Sequence, residues 1–140
     1  MIEAPARYVF ERAGRCCEYC RIGDGREPVS FQIDHIIAIK HGGDDNSDNL
    51  RLSCAECNLS KGAEVAAIDP LTGEATRLYH PRYQTWDAHF RIDSDAKLTG
   101  TTPEGRTTIL VLRMNDSARI EQRNIERLLG SYPCQNNPSP

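Results

Sequence analysis

Two Cys-x-x-Cys turns, Cys17/Cys20 and Cys54/Cys57, stand with 33 residues between them. In a reducing setting, paired spacings of this kind read as metal ligands before they read as disulfides. Four thiolates arriving from two tight turns can surround one Zn2+ tetrahedrally, with Zn–S bonds of about 2.3 Å. Such a zinc keeps no open position for chemistry, so it would be structural, and its binding can supply folding free energy of order 10 kcal/mol. Cys16 and Cys134 lie outside the spacing; Cys16 could in principle stand in for Cys17, but only Cys17 completes the turn. Between the two turns, "FQIDHIIAIKHGGDDNSDNLRLSC" sets Asp34 and His35 side by side at the end of an apolar run. A strand that only filled a core has no use for that pair, and the zinc does not explain it. A second site is therefore expected.

The elements that would position these residues follow from periodicity. Tyr8, Val9 and the aliphatic part of Arg12 at helical spacing, with Gly14 as a stop, predict a short helix over about residues 4–13. "GDGREP" (Gly23 to Pro28) is a turn cluster. "VSFQIDHI" alternates as a strand, "HGGDDNSDN" is a polar loop, and "LRLS" is a second strand. "AECNLSKGAEVAA" then begins a helix with Ser53 or Cys54 near its N-cap. Beyond Ile68 the pattern changes to short strands in "ATRLYHP", "WDAHFRID" and "AKLTGT". Thr102-Pro103-Glu104 is a helix start, and "PEGRTTILVLRMN" would follow it, although its β-branched residues also suit a strand. "SARIEQRNIERLLG" predicts a helix with Ile120, Ile125, Leu128 and Leu129 facing one way and Gly130 as its stop. The division expected is a core over residues 1–68, an extension over 69–132 packed on it, and a polar tail over 133–140.

Composition excludes some classes of function. No apolar run approaches the ~20 residues needed to span a bilayer, and the N-terminal stretch lacks the apolar centre of a signal peptide. A cytoplasmic protein with no membrane partner is expected. The net charge of −3, with eight Lys/Arg against ten Asp/Glu in residues 1–62, gives no global attraction to nucleic acid. Any such partner must be held by a local patch or a bound cation.

From Arg7 to Ala67 the chain resembles the HNH nucleases, in the subset whose ββα-metal core is clamped by a four-cysteine zinc. "CEYC", "IDHIIAIKHGG" and "NSDNLRLSCAECNLSKG" carry the resemblance, their landmarks falling in the family's order and spacing. It implies a zinc-clamped ββα-metal core, and with the strands and helices expected beyond Ile68 the whole is expected to be an α+β fold with a C-terminal α/β extension. It implies His35 as the general base, and Asp34 and Asn58 as ligands of a catalytic Mg2+ or Mn2+. Asn49 would tie the loop back to the hairpin and fix His35. Lys61 and Arg51 are expected phosphate contacts. The activity implied is metal-dependent hydrolysis of DNA with no small-molecule cofactor, leaving 5′-phosphate ends. Asn58 stands where the family more often has histidine, which leaves the choice of metal open. "LYHPRYQTWDAHF" holds His80, Arg82, Trp86, His89 and Phe90, a cluster that could stack on bases or be purely structural. The rival readings are a zinc-containing module that binds nucleic acid without chemistry, or a protein-interaction domain.

Overall fold

The computed structural model describes residues 6–25 and 31–135. Residues 4–5 of the helix expected over 4–13, the end of the expected Gly23–Pro28 turn, Val29 and Ser30 of the expected strand, and residues 136–140 of the expected tail lie outside the described residues. The chain is mixed helix and small antiparallel sheets: α1 (Ala6–Arg12), β1 (Gln32–His35), β2 (Leu50–Ser53), α2 (Ala55–Lys61), β3 (Ala66–Ile68), β4 (Ala75–Arg77), β5 (Phe90–Ile92), β6 (Leu98–Gly100), α3 (Pro103–Val111) and α4 (Ser117–Leu128). Three two-stranded hairpins, β1–β2, β3–β4 and β5–β6, supply all its sheet among the described residues.

The first hairpin pairs Gln32 with Ser53 through to His35 with Leu50. Leu50 and Leu52 pack into the buried cluster formed with Val9, Ala13, Tyr19 and Phe31. By the two-residue alternation of a strand, Asp34 and its cross-strand partner Arg51 share the opposite face. Arg12 fastens α1 beneath this hairpin, donating to the Ser47 and Leu50 carbonyls at 2.9 and 2.8 Å. The helix α2 starts at the second cysteine turn, where the Cys54 sulfur accepts from the Cys57 N–H at 3.4 Å. Cys54, not Ser53, is therefore its N-cap. The helix stops at Lys61, with Gly62 at φ 51°, so "AEVAA" does not continue it. Ala66–Ile68 instead pairs with Ala75–Arg77, and this hairpin straddles residue 68.

The extension packs α3 against both of its hairpins. Thr102 caps α3 by accepting from the Gly105 N–H at 3.1 Å, with Pro103 at the first helical position. Within the β-branched run Thr108 ties the helix to the chain beside it: its Oγ1 donates to the Glu104 carbonyl and accepts from the Tyr79 N–H, both at 2.7 Å. Gly105 is obligatory, since a Cβ there would sit 2.0 Å from the His89 carbonyl oxygen. The outer turn of β3–β4 is tied to α3 through Asp69, which takes two bonds from Arg106 at 3.0 and 2.8 Å.

The last helix forms over the expected residues but packs through its charged side, and the two cysteines outside the turns are bonded to each other. The apolar stripe of α4 faces solvent, with Ile125, Leu128 and Leu129 all more than half exposed. Its buried face is Arg119, Arg123 and Glu126, whose charged groups find partners inside. Cys16 and Cys134 form a disulfide, so the segment after α4 is bonded to the first cysteine turn. Such bonds are rare in reducing compartments, which sits against a cytoplasmic setting. No helix among the described residues is long and apolar enough to cross a membrane.

The Arg106 hydrogen bonds hold the Asp69 carboxyl well below the ordinary carboxylate value. A carboxylate with a depressed folded pKa stabilises at pH values above its unfolded pKa of about 3.9 and loses that contribution as pH falls through the folded value. Asp69→Asn should therefore lower the melting midpoint at pH 7 by several degrees, and the gap from wild type should shrink as pH is taken from 5 towards 2 in thermal melts (about one carboxylate's titration range).

Candidate active site and metal centre

Cys17, Cys20, Cys54 and Cys57 are buried, and their sulfurs all lie within 4.8 Å of one another. Cys20 and Cys54 approach to 3.8 Å. That is the sulfur–sulfur edge of a tetrahedron with Zn–S bonds of about 2.3 Å, so the donor set fits a zinc ion. Cys17, not Cys16, is the member of the cluster. Backbone N–H groups already point at the sulfurs, Cys20 N–H at Cys17 and Cys57 N–H at Cys54, each at 3.4 Å. The extension adds a cation: Arg119 on α4 donates to the Cys57 sulfur at 2.9 Å and lies 3.7 Å from that of Cys54. Burial works against its charge, but the neighbouring thiolates hold the guanidinium pKa above the ordinary value. Zinc with four thiolates carries a net charge of −2, and Arg119 offsets half of it. Residues of the extension also close over the first turn. Trp86 donates to the Tyr19 carbonyl at 2.7 Å, Tyr132 donates to that of Cys20 at 2.6 Å, and Arg82 pairs with the buried Glu18.

The second site lies at the end of β1. His35 sits between two carboxylates, with Nε2 2.7 Å from Asp45 Oδ1 and Nδ1 3.3 Å from Asp34 Oδ1. The hydrogen bond with His35 holds the Asp45 carboxyl below its ordinary pKa. Asp34 also accepts from the His35 backbone N–H at 2.7 Å and leaves half of its side chain in solvent. Asn49 closes the loop over this pair. Its Oδ1 accepts from the Ile37 N–H at 2.9 Å, and its Nδ2 donates to the Ile37 and Asp44 carbonyls at 2.9 and 2.8 Å. The Asn49 carbonyl takes the Ile36 N–H at 2.7 Å, so the side chain lengthens the hairpin by one imitation rung. Gly43 permits the close passage, because a Cβ there would lie 1.8 Å from the Ile37 oxygen.

Asn58, one turn into α2, is joined to this face through Arg51, whose Nη1 donates to Asn58 Oδ1 at 3.0 Å and to Ser53 Oγ at 2.6 Å. An amide oxygen has two acceptor directions, so one remains for a ligand. Asp34 and Asn58 are hard oxygen donors, which fits Mg2+ or Mn2+. The expected phosphate contacts do not emerge as such. Arg51 is fully buried, its guanidinium 5.4 Å from the centre of the Tyr19 ring, and Lys61 is 2 % exposed with its Nζ donating to the Ile36 carbonyl at 2.8 Å. Burial, with Arg51 nearby, lowers the Lys61 pKa to about 8. Both side chains brace the fold behind the site rather than present a charge on its surface.

The histidine-aromatic cluster divides in two. Trp86 is buried against Phe90 and His89 is bonded to Thr102 Oγ1 at 2.6 Å, both structural. His80 and Tyr83 instead stack on each other at the surface, ring centres 4.3 Å apart. Asp45 and Arg119 were not singled out from the sequence. The acidic loop offered a weak signal for Asp45, and nothing marked Arg119.

Arginine bonded to a ligand sulfur withdraws charge from it and shields it from attack, and loss of such an outer partner typically weakens metal binding 10–100-fold. Arg119→Met should therefore release zinc faster and with 10- to 100-fold lower affinity, read with a chromophoric chelator, whereas Arg123→Met should leave zinc affinity much closer to wild type.

Residues 17–64 match the model of a family described as HNH endonuclease. No curated protein and no solved structure matches the chain. The matched span runs from the first cysteine of the metal cluster through the hairpin and α2, taking in Asp34, His35, Asn49 and Asn58. The match and the cysteine cluster fall on the same span: residues 17–64, about a third of the chain, are similar to the HNH endonuclease domain, and within them four cysteines are placed so that they could hold one metal ion.

Proposed function

We propose that the chain is a metal-dependent endonuclease that hydrolyses phosphodiester bonds in DNA. The observation that carries this reading is the placement of His35, anchored by Asp45 on one nitrogen and facing the half-exposed Asp34 with the other. An Nε2–H donated to Asp45 leaves the Nδ1 lone pair directed to the Asp34 side, where it can take a proton from an attacking water. Asp45 then acts as a positioning residue, fixing the tautomer and stabilising the imidazolium once it forms. Asp34 and Asn58 would hold the cation, which when bound neutralises charge on the scissile phosphate and on the departing 3′ oxygen. With one formal charge between the two ligands, and Arg51 bonded to one of them, affinity for the cation in the absence of DNA should be weak. Zinc in the cysteine cluster takes no part in the chemistry and holds the hairpin and α2 together.

One observation favours a second reading. The Arg51–Asn58 bond places a guanidinium against an expected metal ligand. In a domain that had lost catalysis and kept only nucleic-acid or protein binding, that bond would simply be structural.

Cleavage of supercoiled plasmid by the zinc-loaded protein, with and without Mg2+ or Mn2+, separates the two. Metal-dependent nicking or linearisation is expected, and its absence under all metals would favour the inactive module. His35→Ala should keep fold, zinc content and DNA affinity while the rate falls about 10²–10⁴-fold. Asn58→His should keep or raise activity and extend metal use to Co2+ or Ni2+, since imidazole binds those ions better than an amide does. Asp34→Asn should raise the metal concentration needed for half-maximal cleavage. An unchanged metal optimum and midpoint in both variants would remove Asp34 and Asn58 from the cation site.

A further inference from the structure

Between the HNH domain and the extension lies a cleft of about 520 Å³ that none of the groups discussed above requires. Its walls include Ile36 and Ile37, the two residues that follow His35, and Leu78 of the extension. Lys61, Arg77 and Glu104 are the charged residues among its lining that the strand and helix ends contribute. The volume lies in the range of small-ligand sites, and the mixture of apolar wall with a few polar groups is what such sites use. At its edge Tyr83 is 76 % exposed, a large aromatic ring left in solvent.

That ring is held in place. It stacks on His80 with the planes 23° apart, and His80 is itself fixed: its Nδ1 accepts from the Arg82 N–H at 3.2 Å, and its backbone N–H donates to Gln84 Oε1 at 2.8 Å. Burial, with the Lys61 and Arg77 charges, lowers the His80 pKa. The pair also lines a second hollow of about 290 Å³ beside Gly43, Asp44 and Asn49, the loop that covers His35. Tyr83 and His80 thus form a rigid two-ring platform on the rim of a cleft that begins one residue from His35.

We infer that this cleft receives an unpaired base of the DNA substrate, stacked on Tyr83, next to the bond that is cut. The inference rests on the nuclease reading for the identity of its ligand and goes beyond it in naming the substrate class: DNA with a gap, flap or single-stranded stretch at the cleavage point. Inside a duplex both faces of a base are covered by its neighbours, so only an unpaired or extruded base can lie on an exposed ring or enter a cleft. The charge balance points the same way. With a net charge of −3 there is no overall attraction to duplex backbone, and Arg51 and Lys61 are buried beside the site, so stacking is a natural source of affinity at the cleft.

The test compares wild type, Tyr83→Ala and Tyr83→Phe, all zinc-loaded, without added Mg2+ or Mn2+. Their affinities are measured by anisotropy for an uninterrupted duplex, for the same duplex with a short single-stranded gap, and for the gapped duplex with 2-aminopurine in the gap. Wild type should prefer the gapped probes and change the 2-aminopurine emission by stacking. Tyr83→Ala should bind them about 10-fold more weakly, lose that emission change and bind the duplex as before. Tyr83→Phe should behave as wild type. Because Tyr83 is exposed, none of these variants removes a core contact. Equal binding of gapped and intact duplex by wild type, or an emission change that survives in Tyr83→Ala, would overturn the inference. Plasmid cleavage by the same wild-type preparation keeps the two readings apart. Cleavage without Tyr83-dependent stacking overturns the cleft alone, and Tyr83-dependent stacking without cleavage supports the cleft and overturns the nuclease.

Discussion

Gathering four thiolates at one point is the constraint from which the rest of the structure follows. Their charges repel, and a buried cluster of them holds together only when a cation neutralises it. The zinc that fits the site would do most of this, and Arg119 does part of it from the far end of the chain. Because Cys54 is both a ligand and the N-cap of α2, the same sulfur sets where the helix starts and how it lies on the hairpin. Because Glu18, inside the first cysteine turn, accepts from the Leu52 N–H through its carboxylate and donates its own N–H to the Leu52 carbonyl, that turn is also bonded to β2. A metal held by the four cysteines would therefore fix the elements that carry Asp34 and Asn58 without touching either residue.

A second, smaller device completes the site. The Asn49 side chain replaces a rung of the hairpin ladder, and the loop it closes carries Asp45 back against His35. The geometry needs a residue with an adjacent donor and acceptor at position 49, and it needs no side chain at position 43. Both requirements are local, and so the arrangement can persist on a scaffold whose other parts change.

The features legible in the sequence were those carried by short spacings: the two cysteine turns, the hairpin around them, the start of α2, and the role of Asn49 as a tie. Features set by distant contacts were not. Arg119 meets Cys57 across 62 positions, and no local pattern marks an arginine as the partner of a sulfur. For the same reason the packed face of α4 could not be read from its pattern, although the helix itself could. Its apolar residues suggested the packed face, but the face that packs is Arg119, Arg123 and Glu126, whose charged groups are satisfied by sulfurs, carbonyls and hydroxyls inside. That Arg51 and Lys61 are buried was not legible either, because side-chain type suggests a phosphate partner whereas burial is decided by what folds over them. The extension's histidine-aromatic run could be sorted into structural and exposed members only once the positions of Tyr19 and Thr102 were known.

Two metal sites of different chemistry would then share residues 17–64, a soft and closed one at the four cysteines and a hard and open one at Asp34 and Asn58. Anomalous diffraction from crystals of His35→Ala bound to DNA in the presence of Mn2+ tests it most directly. The account predicts a zinc signal at the four cysteines and a separate manganese signal between Asp34 and Asn58, in contact with a phosphate oxygen. Well-ordered DNA on the protein with no manganese at those two side chains would contradict it.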